Sequence, residues 1–448
     1  MATDSRHKAA ISNLATLVKI PTVSRLDNDG TDWNQFTKFR AKLRELYPEC
    51  HKALDLELVD NSTLLFRWRG KSDGQPAVLM AHYDVVPATV EGWEHPPFGA
   101  TLVKDENGVE SLWGRGTLDD KGSLVCVLEA VEHALGKGFR PQNDVYLSFG
   151  HDEEVAGTGA SSVVELLKSR NITPWIVVDE GGAVVEGIFP GVDRPIAVVG
   201  VSEKGILSLR LTVLQQGGHA SAPPKNAATI RLARALLRLN SKPFPKSFVP
   251  TNLEMIRTVG KEAKQPFKWV FGNLWLTKLP LLALFGKLSD ETRAMIRTTQ
   301  VVSQLSGAQA ANAIPEKAEA VVNIRIAIDS SVSSVVEHVR KAIRDPLVQI
   351  ETVHPTEPSP VSETSGRAWE IIKSTISKVY PRAIVTPYVM LGASDSRHFA
   401  QISNHVYRFS PFEMSAVERG TLHAKNERIR VETFWNGIRF YDELLLEL

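Results

Sequence analysis

A chain of 448 residues is long enough to bury more than one core, so two or three domains are expected. Its apolar share of 43% and charged share of 23% are those of a soluble globular protein. With 52 basic against 51 acidic side chains, nothing in the charge points to nucleic acid or a membrane surface as partner, and two cysteines, Cys50 and Cys126, are too few for a disulfide framework or a thiolate metal cage.

The first ten residues, MATDSRHKAA, are polar and lead straight into an amphipathic stretch, with no secretory apolar core. The most apolar later run, 279–285, is far below the ~18 residues of a spanning helix, and with only two thiols in the chain a reduced, cytoplasmic setting is expected. In chain order, Ile11, Leu14, Leu17 and Val18 have helical spacing, as do Phe36, Phe39, Leu43 and Leu46. Residues 77–83 (AVLMAHY) are a nearly continuous apolar run, the mark of a strand buried on both faces. A helix is expected over 123–135, then a strand over 145–149, a helix around 163–167 and a third buried strand over 175–178. Strands alternating with helices predict an α/β fold with a mostly parallel sheet flanked by helices.

The pattern changes near Gly205. Leu207, Leu209, Leu211 and Val213 alternate with Ser208, Arg210 and Thr212, which predicts a strand with one wet face. A helix over 226–240, strands over 321–328 and 347–353, and a helix between them carrying Val335 and Val339 make a smaller inserted α+β module. The proline-rich 354–362 (HPTEPSPVS) reads as the way back, and helices near 369–379 and 432–446 complete the first domain. The expected division is 1–204 and 356–448 for the main domain, with 205–355 inserted. Within the insertion, 241–290 is rich in Phe, Trp and Leu; it is expected to be the insertion's own core or a dimer contact, with a greasy wall for an acyl chain as the sharper alternative.

The chemistry gathers at strand ends. His82 closes the first parallel strand with Asp84 two positions later; His151-Asp152-Glu153-Glu154 follow the second strand and Asp179-Glu180 the third. Ligands of open α/β sheets bind beyond the carboxyl ends of the strands. The loop 112–122 (LWGRGTLDDKG) brings Asp119 between a glycine-punctuated turn and a helix start, where alone it would read as a helix cap. Together these acids would repel one another, and a pair of divalent cations removes that problem. Imidazole and carboxylate without sulfur suit Zn²⁺, with Mn²⁺ or Co²⁺ as substitutes. In a two-metal hydrolase one carboxylate bridges ions roughly 3.5–4 Å apart, and Asp119 is the natural candidate. Glu154 can then bind a metal while Glu153 takes the proton from water, and Asp84 orients the His82 ring. Gly114-x-Gly116 continues without the third glycine of a dinucleotide loop, and no Walker, HExxH or GxSxG motif occurs.

The stretches 80–88 (MAHYDVVPA), 93–100 (WEHPPFGA), 112–122, 150–160 (GHDEEVAGTGA), 177–184 (VVDEGGAV), 217–224 (GGHASAPP), 312–315 (NAIP), 392–399 (GASDSRHF) and 420–427 (GTLHAKNE) span almost the whole chain. Jointly they resemble the co-catalytic zinc peptidases that include aminoacylase, carboxypeptidase S and succinyl-diaminopimelate desuccinylase. GWEHPPF, DEGGAV and SEKG at 202–205 are most similar to the carboxypeptidase S and N-fatty-acyl-amino-acid synthase/hydrolase branch. The resemblance implies a catalytic domain holding two Zn²⁺ per subunit, interrupted by a lid or dimerisation domain. By position it implies that His82 and Asp179 hold one zinc and Glu154 and His423 the other, with Asp119 bridging, Glu153 as general base and Asp84 orienting His82. It implies that His219 polarises the scissile carbonyl, often from a neighbouring subunit, and that Asn312 and Arg397 bind substrate, Arg397 by a bidentate grip on a carboxylate. The implied activity is hydrolysis of the amide bond to an amino acid with a free carboxylate, on small N-acyl amino acids or short peptides, in a chain that can dimerise through its lid. The alternatives are a dipeptidase, which needs a free α-amine, and a non-catalytic amino-acid-binding protein.

Overall fold

The computed structural model describes residues 2–25, 30–308 and 310–448. Eight strands form the large sheet, in the order Asp55–Val59, Thr63–Trp68, Val145–Gly150, Ala77–His82, Ile176–Val185, Val406–Met414, Ile196–Glu203 and Ile384–Met390. The four strands from Val145–Gly150 to Val406–Met414 run parallel. Every residue of Ala77–His82 and of Val145–Gly150 is buried, as their unbroken apolar runs require. An antiparallel hairpin joins one edge of this run; at the other edge the last two strands are parallel to each other but opposed to their neighbours.

Alternate residues of these strands feed two cores. Leu79, Ala81, Leu147 and Phe149 meet the helices Ala2–Val18, Lys121–Gly136, Gly366–Val379 and Val431–Leu445. Val78, Met80 and Tyr146 meet Val163 and Leu167 of the helix Gly159–Ser169, and Phe399. Helices on both faces give the three-layer arrangement that the alternating pattern predicts. The strands Thr63–Trp68, Ile196–Glu203, Ile384–Met390 and Val406–Met414 were not foreseen. Short, mostly buried runs carry no periodicity that separates strand from helix, and Pro387 and Pro411 further blur two of them.

A second, four-stranded antiparallel sheet has the order Thr299–Ser306, Lys317–Ile326, Gly205–Leu214 and Gln349–Thr356. Buried Leu207, Leu209 and Leu211 alternate with half-exposed neighbours, and the helices Ala228–Asn240 and Val332–Ile343 close that face. Of the stretch 241–290, Phe244 joins this core, stacked on His338 at 4.2 Å, but most of its apolar residues do not. Met255, Ile256, Phe271, Leu281 and Phe285, from the helices Pro250–Gly260, Phe267–Gly272 and Leu274–Leu288, pack into the core of the large sheet instead. The physical reason is an unmet need: the smaller sheet already has its helices, whereas Ile384–Met390 is an edge strand whose apolar side chains lack a cover, and Pro250–Gly260 packs against it. No helix among the described residues is long and apolar enough to cross a membrane.

Candidate metal centre

His82, the last residue of its strand, places Nε2 3.0 Å from Asp119 Oδ1 and 3.5 Å from Glu180 Oε1. The other oxygen of Asp119 lies 2.9 Å from His423 Nε2, which is 3.1 Å from Glu154 Oε2. Asp119 therefore offers one oxygen to each histidine, the posture of a bridging carboxylate. Two groups result, His82–Asp119–Glu180 and Asp119–Glu154–His423, each with donor atoms within 4.8 Å of one another. A tetrahedral ion with bonds of about 2.0–2.2 Å spaces its ligands roughly 3.3–3.6 Å apart, close to what is seen.

Buried Glu427 holds the loop that carries Asp119. Its carboxylate accepts hydrogen bonds from the backbone N–H of Gly116 at 3.0 Å, Leu118 at 2.9 Å and Asp119 at 3.3 Å, and pairs with Arg115. Arg115 also donates to the Ala424 carbonyl at 2.7 Å, so the loops bearing Asp119 and His423 are clamped together. Asp84 is wholly buried, with Oδ1 3.3 Å from His82 Nδ1. It also accepts from the N–H groups of Glu153 and Glu154 at 3.2 and 3.1 Å and from Ser24 Oγ at 2.7 Å. Burial works to raise its pKa, but hydrogen bonds from His82 and Ser24 outweigh that and hold it below the usual range.

The acidic run 151–154 divides its tasks. His151 Nδ1 lies 2.8 Å from Thr63 Oγ1, and Asp152 accepts from the N–H of Thr158 and Gly159 at the start of the helix Gly159–Ser169. Glu154 faces His423, while Glu153 stands in neither three-residue group. Burial, and then the carboxylates of Glu180, Asp395 and Glu154 against the opposing pull of His82, push the Glu153 pKa well up. The cluster is short of positive charge throughout: burial and the Asp119 carboxylate raise Glu180 to about 8, and hydrogen bonds to Asp119 and Glu154 raise His423 to about 10. Two imidazoles, three facing carboxylates, no sulfur and an excess of negative charge fit a pair of divalent cations.

Asp179 is not among these groups. Its carboxylate is buried elsewhere, accepting from the Ser396 N–H at 3.0 Å, and Glu180 occupies the place beside His82 that the resemblance implied for Asp179. Successive strand residues face opposite ways, so only one of the pair can reach the site. Pairing with Val406–Met414 skips between Asp179 and Gly182, a bulge in which Gly181 takes φ +137°. A Cβ on Gly181 would meet Met390 Sδ at 2.6 Å. The Gly181-Gly182 pair was the available signal, since glycines inside a strand mark such bulges.

Arg397 is half-buried on the short helix Ser396–Phe399, with Nη1 3.2 Å from the Ser394 carbonyl. A second guanidinium, Arg325 of the smaller sheet, was not foreseen. Burial and then Arg397 lower its pKa, while Glu203 and Glu153 pull it the other way, so it stands close enough to sense both the Arg397 charge and Glu153. Nothing but alternation marked it in the sequence. His219 and Asn312 come together with each other and not with the histidine cluster. They are exposed on a ribbon that pairs Gly218–His219 with Ala313–Ile314; His219 Nδ1 lies 2.7 Å from Ser221 Oγ, and the Asn312 carbonyl accepts from the Ala220 N–H at 3.0 Å.

The sequence profile of peptidase family M20/M25/M40 matches residues 78–447. The chain belongs to this family. It is 33% identical over 440 residues to "Probable carboxypeptidase S-like 2" of Dictyostelium discoideum, across 96% of this chain and 83% of the relative. It is 34% identical over 436 residues to "N-fatty-acyl-amino acid synthase/hydrolase PM20D1" of Mus musculus, across 96% of this chain and 85% of the relative. The M20 family metallo-carboxypeptidase Sso-CP2 of Sulfolobus solfataricus shares the fold, with a TM-score of 0.69 at 18% identity over 97% of this chain and 98% of that one.

This peptidase-family chain carries one cavity at the cluster and a second beside it. One of about 260 Å³ is lined by Asp119, Glu153, Glu180 and His423 together with Met390 and Phe412. It shares Gly181, Met414 and Leu422 with a second cavity of about 720 Å³, whose wall includes Phe189, Phe267, Phe271, Leu281, Phe285 and Tyr388. That volume lies within the ~300–1,000 Å³ of small-molecule sites.

Proposed function

We propose that this chain hydrolyses the amide bond between an acyl group and an amino acid with a free carboxylate, and that the acyl group is a hydrocarbon chain. The observation that carries this reading is the large apolar cavity adjoining the histidine–carboxylate cluster. Part of its wall, including Phe267, Phe271, Leu281 and Phe285, comes from 241–290, the stretch for which an acyl wall was the sharper alternative. Similarity to proteins named as carboxypeptidase S-like and as N-fatty-acyl-amino acid synthase/hydrolase supports the same class. Residues 1–204 with 356–448 form the catalytic domain in this reading, and 205–355 the insertion.

His82, Asp119 and Glu180 would hold one Zn²⁺, and Asp119, Glu154 and His423 the other, with Mn²⁺ or Co²⁺ as substitutes of similar ligand preference. Such ions supply Lewis acidity toward the carbonyl and the attacking water. Glu153, which stands at the cavity and in neither ligand group, takes a proton from that water on its carboxylate and hands it to the leaving nitrogen. Asp84 keeps Nδ1 of His82 engaged, so that Nε2 faces the cluster. Arg397, with Arg325 across from it, binds the free carboxylate of the amino acid. His219 and Asn312, exposed on their ribbon, serve the site of a second copy, so the working form is a homodimer through the smaller sheet. The buried, unpaired Cys50 and Cys126 accord with a cytoplasmic setting.

The test is a panel of one amino acid N-acylated with chains of increasing length, beside free dipeptides. The expected result is a kcat/KM that climbs by up to about fourfold per methylene until the cavity is full. Turnover confined to substrates with a free α-amine would make the protein a dipeptidase and remove the acyl cavity from its function.

A further inference from the structure

Helix Leu274–Leu288 (LWLTKLPLLALFGKL) is apolar around its whole circumference, a composition normally found where every side is covered. Its buried residues are Leu274, Thr277, Leu281 and Phe285. The opposite side is bare: Trp275 is 84% exposed and Leu279 75%, and Trp269 of the preceding helix is 53% exposed. Lys268, Lys278 and Lys287 stand exposed among them, and no Asp or Glu occurs between Glu262 and Asp290. Among the described residues none of these three lysines is in an ion pair. Leu284 and Leu288, about half exposed on the same helix, also line the large cavity.

We propose that this face, Trp269 to Leu288, docks on the surface of an anionic lipid bilayer. Exposed Trp and Leu flanked by Lys form the pattern of a helix lying in the membrane–water interface: the rings settle at headgroup depth, the leucines enter the acyl boundary, and the lysines meet lipid phosphates and carboxylates. At 15 residues the helix is too short to span, which leaves the in-plane posture. Charge selects lipid over a second copy of the chain. A twofold contact through this face would press a lysine-bearing segment with no Asp or Glu from 263 to 289 against its own image, whereas an anionic bilayer supplies the missing sign. The nearly even charge of the whole chain conceals this local excess. The docking claim is separate from the hydrolase reading, because lipid binding is measured without turnover.

The test uses the 448-residue, zinc-loaded chain and sedimentation with vesicles of phosphatidylcholine containing about 30% phosphatidylserine, beside vesicles of phosphatidylcholine alone. The protein is expected to sediment with the anionic vesicles, with a blue shift in tryptophan emission. Two variants are compared: Trp269→Ser with Trp275→Ser and Leu279→Ser, and Lys268→Gln with Lys278→Gln and Lys287→Gln. Each is expected to lower the partition coefficient by about tenfold or more with an unchanged melting temperature. The idea is overturned by an absence of wild-type sedimentation, by sedimentation that both variants leave intact, or by a wild-type dimer that the Trp/Leu variant turns into a monomer.

Discussion

Asp179 and Glu180 are neighbours in the chain whose carboxylates have different partners, the Ser396 N–H for one and His82 for the other. Glu180→Ala is expected to lose about one of two bound metal ions per chain, whereas Asp179→Asn, whose partner is the Ser396 N–H, is expected to keep both; metal analysis after dialysis distinguishes them. Glu153→Gln is expected to lower turnover by about a thousandfold or more with metal content unchanged, because it removes the proton carrier and no ligand. Retained hydrolysis in that variant would take Glu153 out of the base role. His82, Asp84, Asp119, Glu153 and Glu154 were legible because strand ends and a glycine-marked loop converge on one sheet edge whatever the details of packing. His423 was not: a lone histidine in a loop has no local signature, and only likeness to a family singled it out. The choice between Asp179 and Glu180 turned on a bulge of two residues, Glu180 and Gly181, which residue type alone does not register. Arg325 sits in an alternating strand where any polar residue would satisfy the pattern.

At the level of elements, the site is held by ties between loops far apart in sequence. Arg115 and Glu427 are both almost fully buried, and removing one partner strands the other's charge. Arg115→Met is therefore expected to cost about 3 kcal/mol of stability and to loosen Asp119 and His423 together, seen as a lower urea midpoint and weaker metal retention. Lys204, at the entry to the smaller sheet, donates to the Arg297 carbonyl at 2.6 Å and is 3% exposed. Burial and then the charge of Arg325 push its pKa down to about 8. The unfolded lysine titrates near ~10.4, so between about pH 8 and pH 10.4 the unfolded chain holds a proton that the folded chain has released, and stability rises with pH across that window. Below about pH 8 both states are charged and the burial penalty is at its full size. Lys204→Met is expected to be more stable than the parent by on the order of 2 kcal/mol near pH 7, with the gap shrinking by about pH 9.5. An equal gap at both values would show that Lys204 does not carry the penalty.

For the molecule as a whole, the alternation of strands and helices and the change of character near Gly205 made the two sheets legible. The destination of 241–290 was not, since an apolar helix fits any uncovered core equally well on composition. Its placement gives a prediction at this scale: Leu281→Trp, which adds bulk to the wall of the large cavity, is expected to cut turnover of long-chain N-acyl substrates by about tenfold or more while sparing an N-acetyl one. Loss of both alike would mean that the change reached the cluster instead. The helices around that cavity share a core with the strand that ends in His82, whereas His219, Asn312 and Arg325 belong to the four-stranded sheet and its ribbon. A swing of that sheet would thus work the polar end of the site and leave the greasy end as it was.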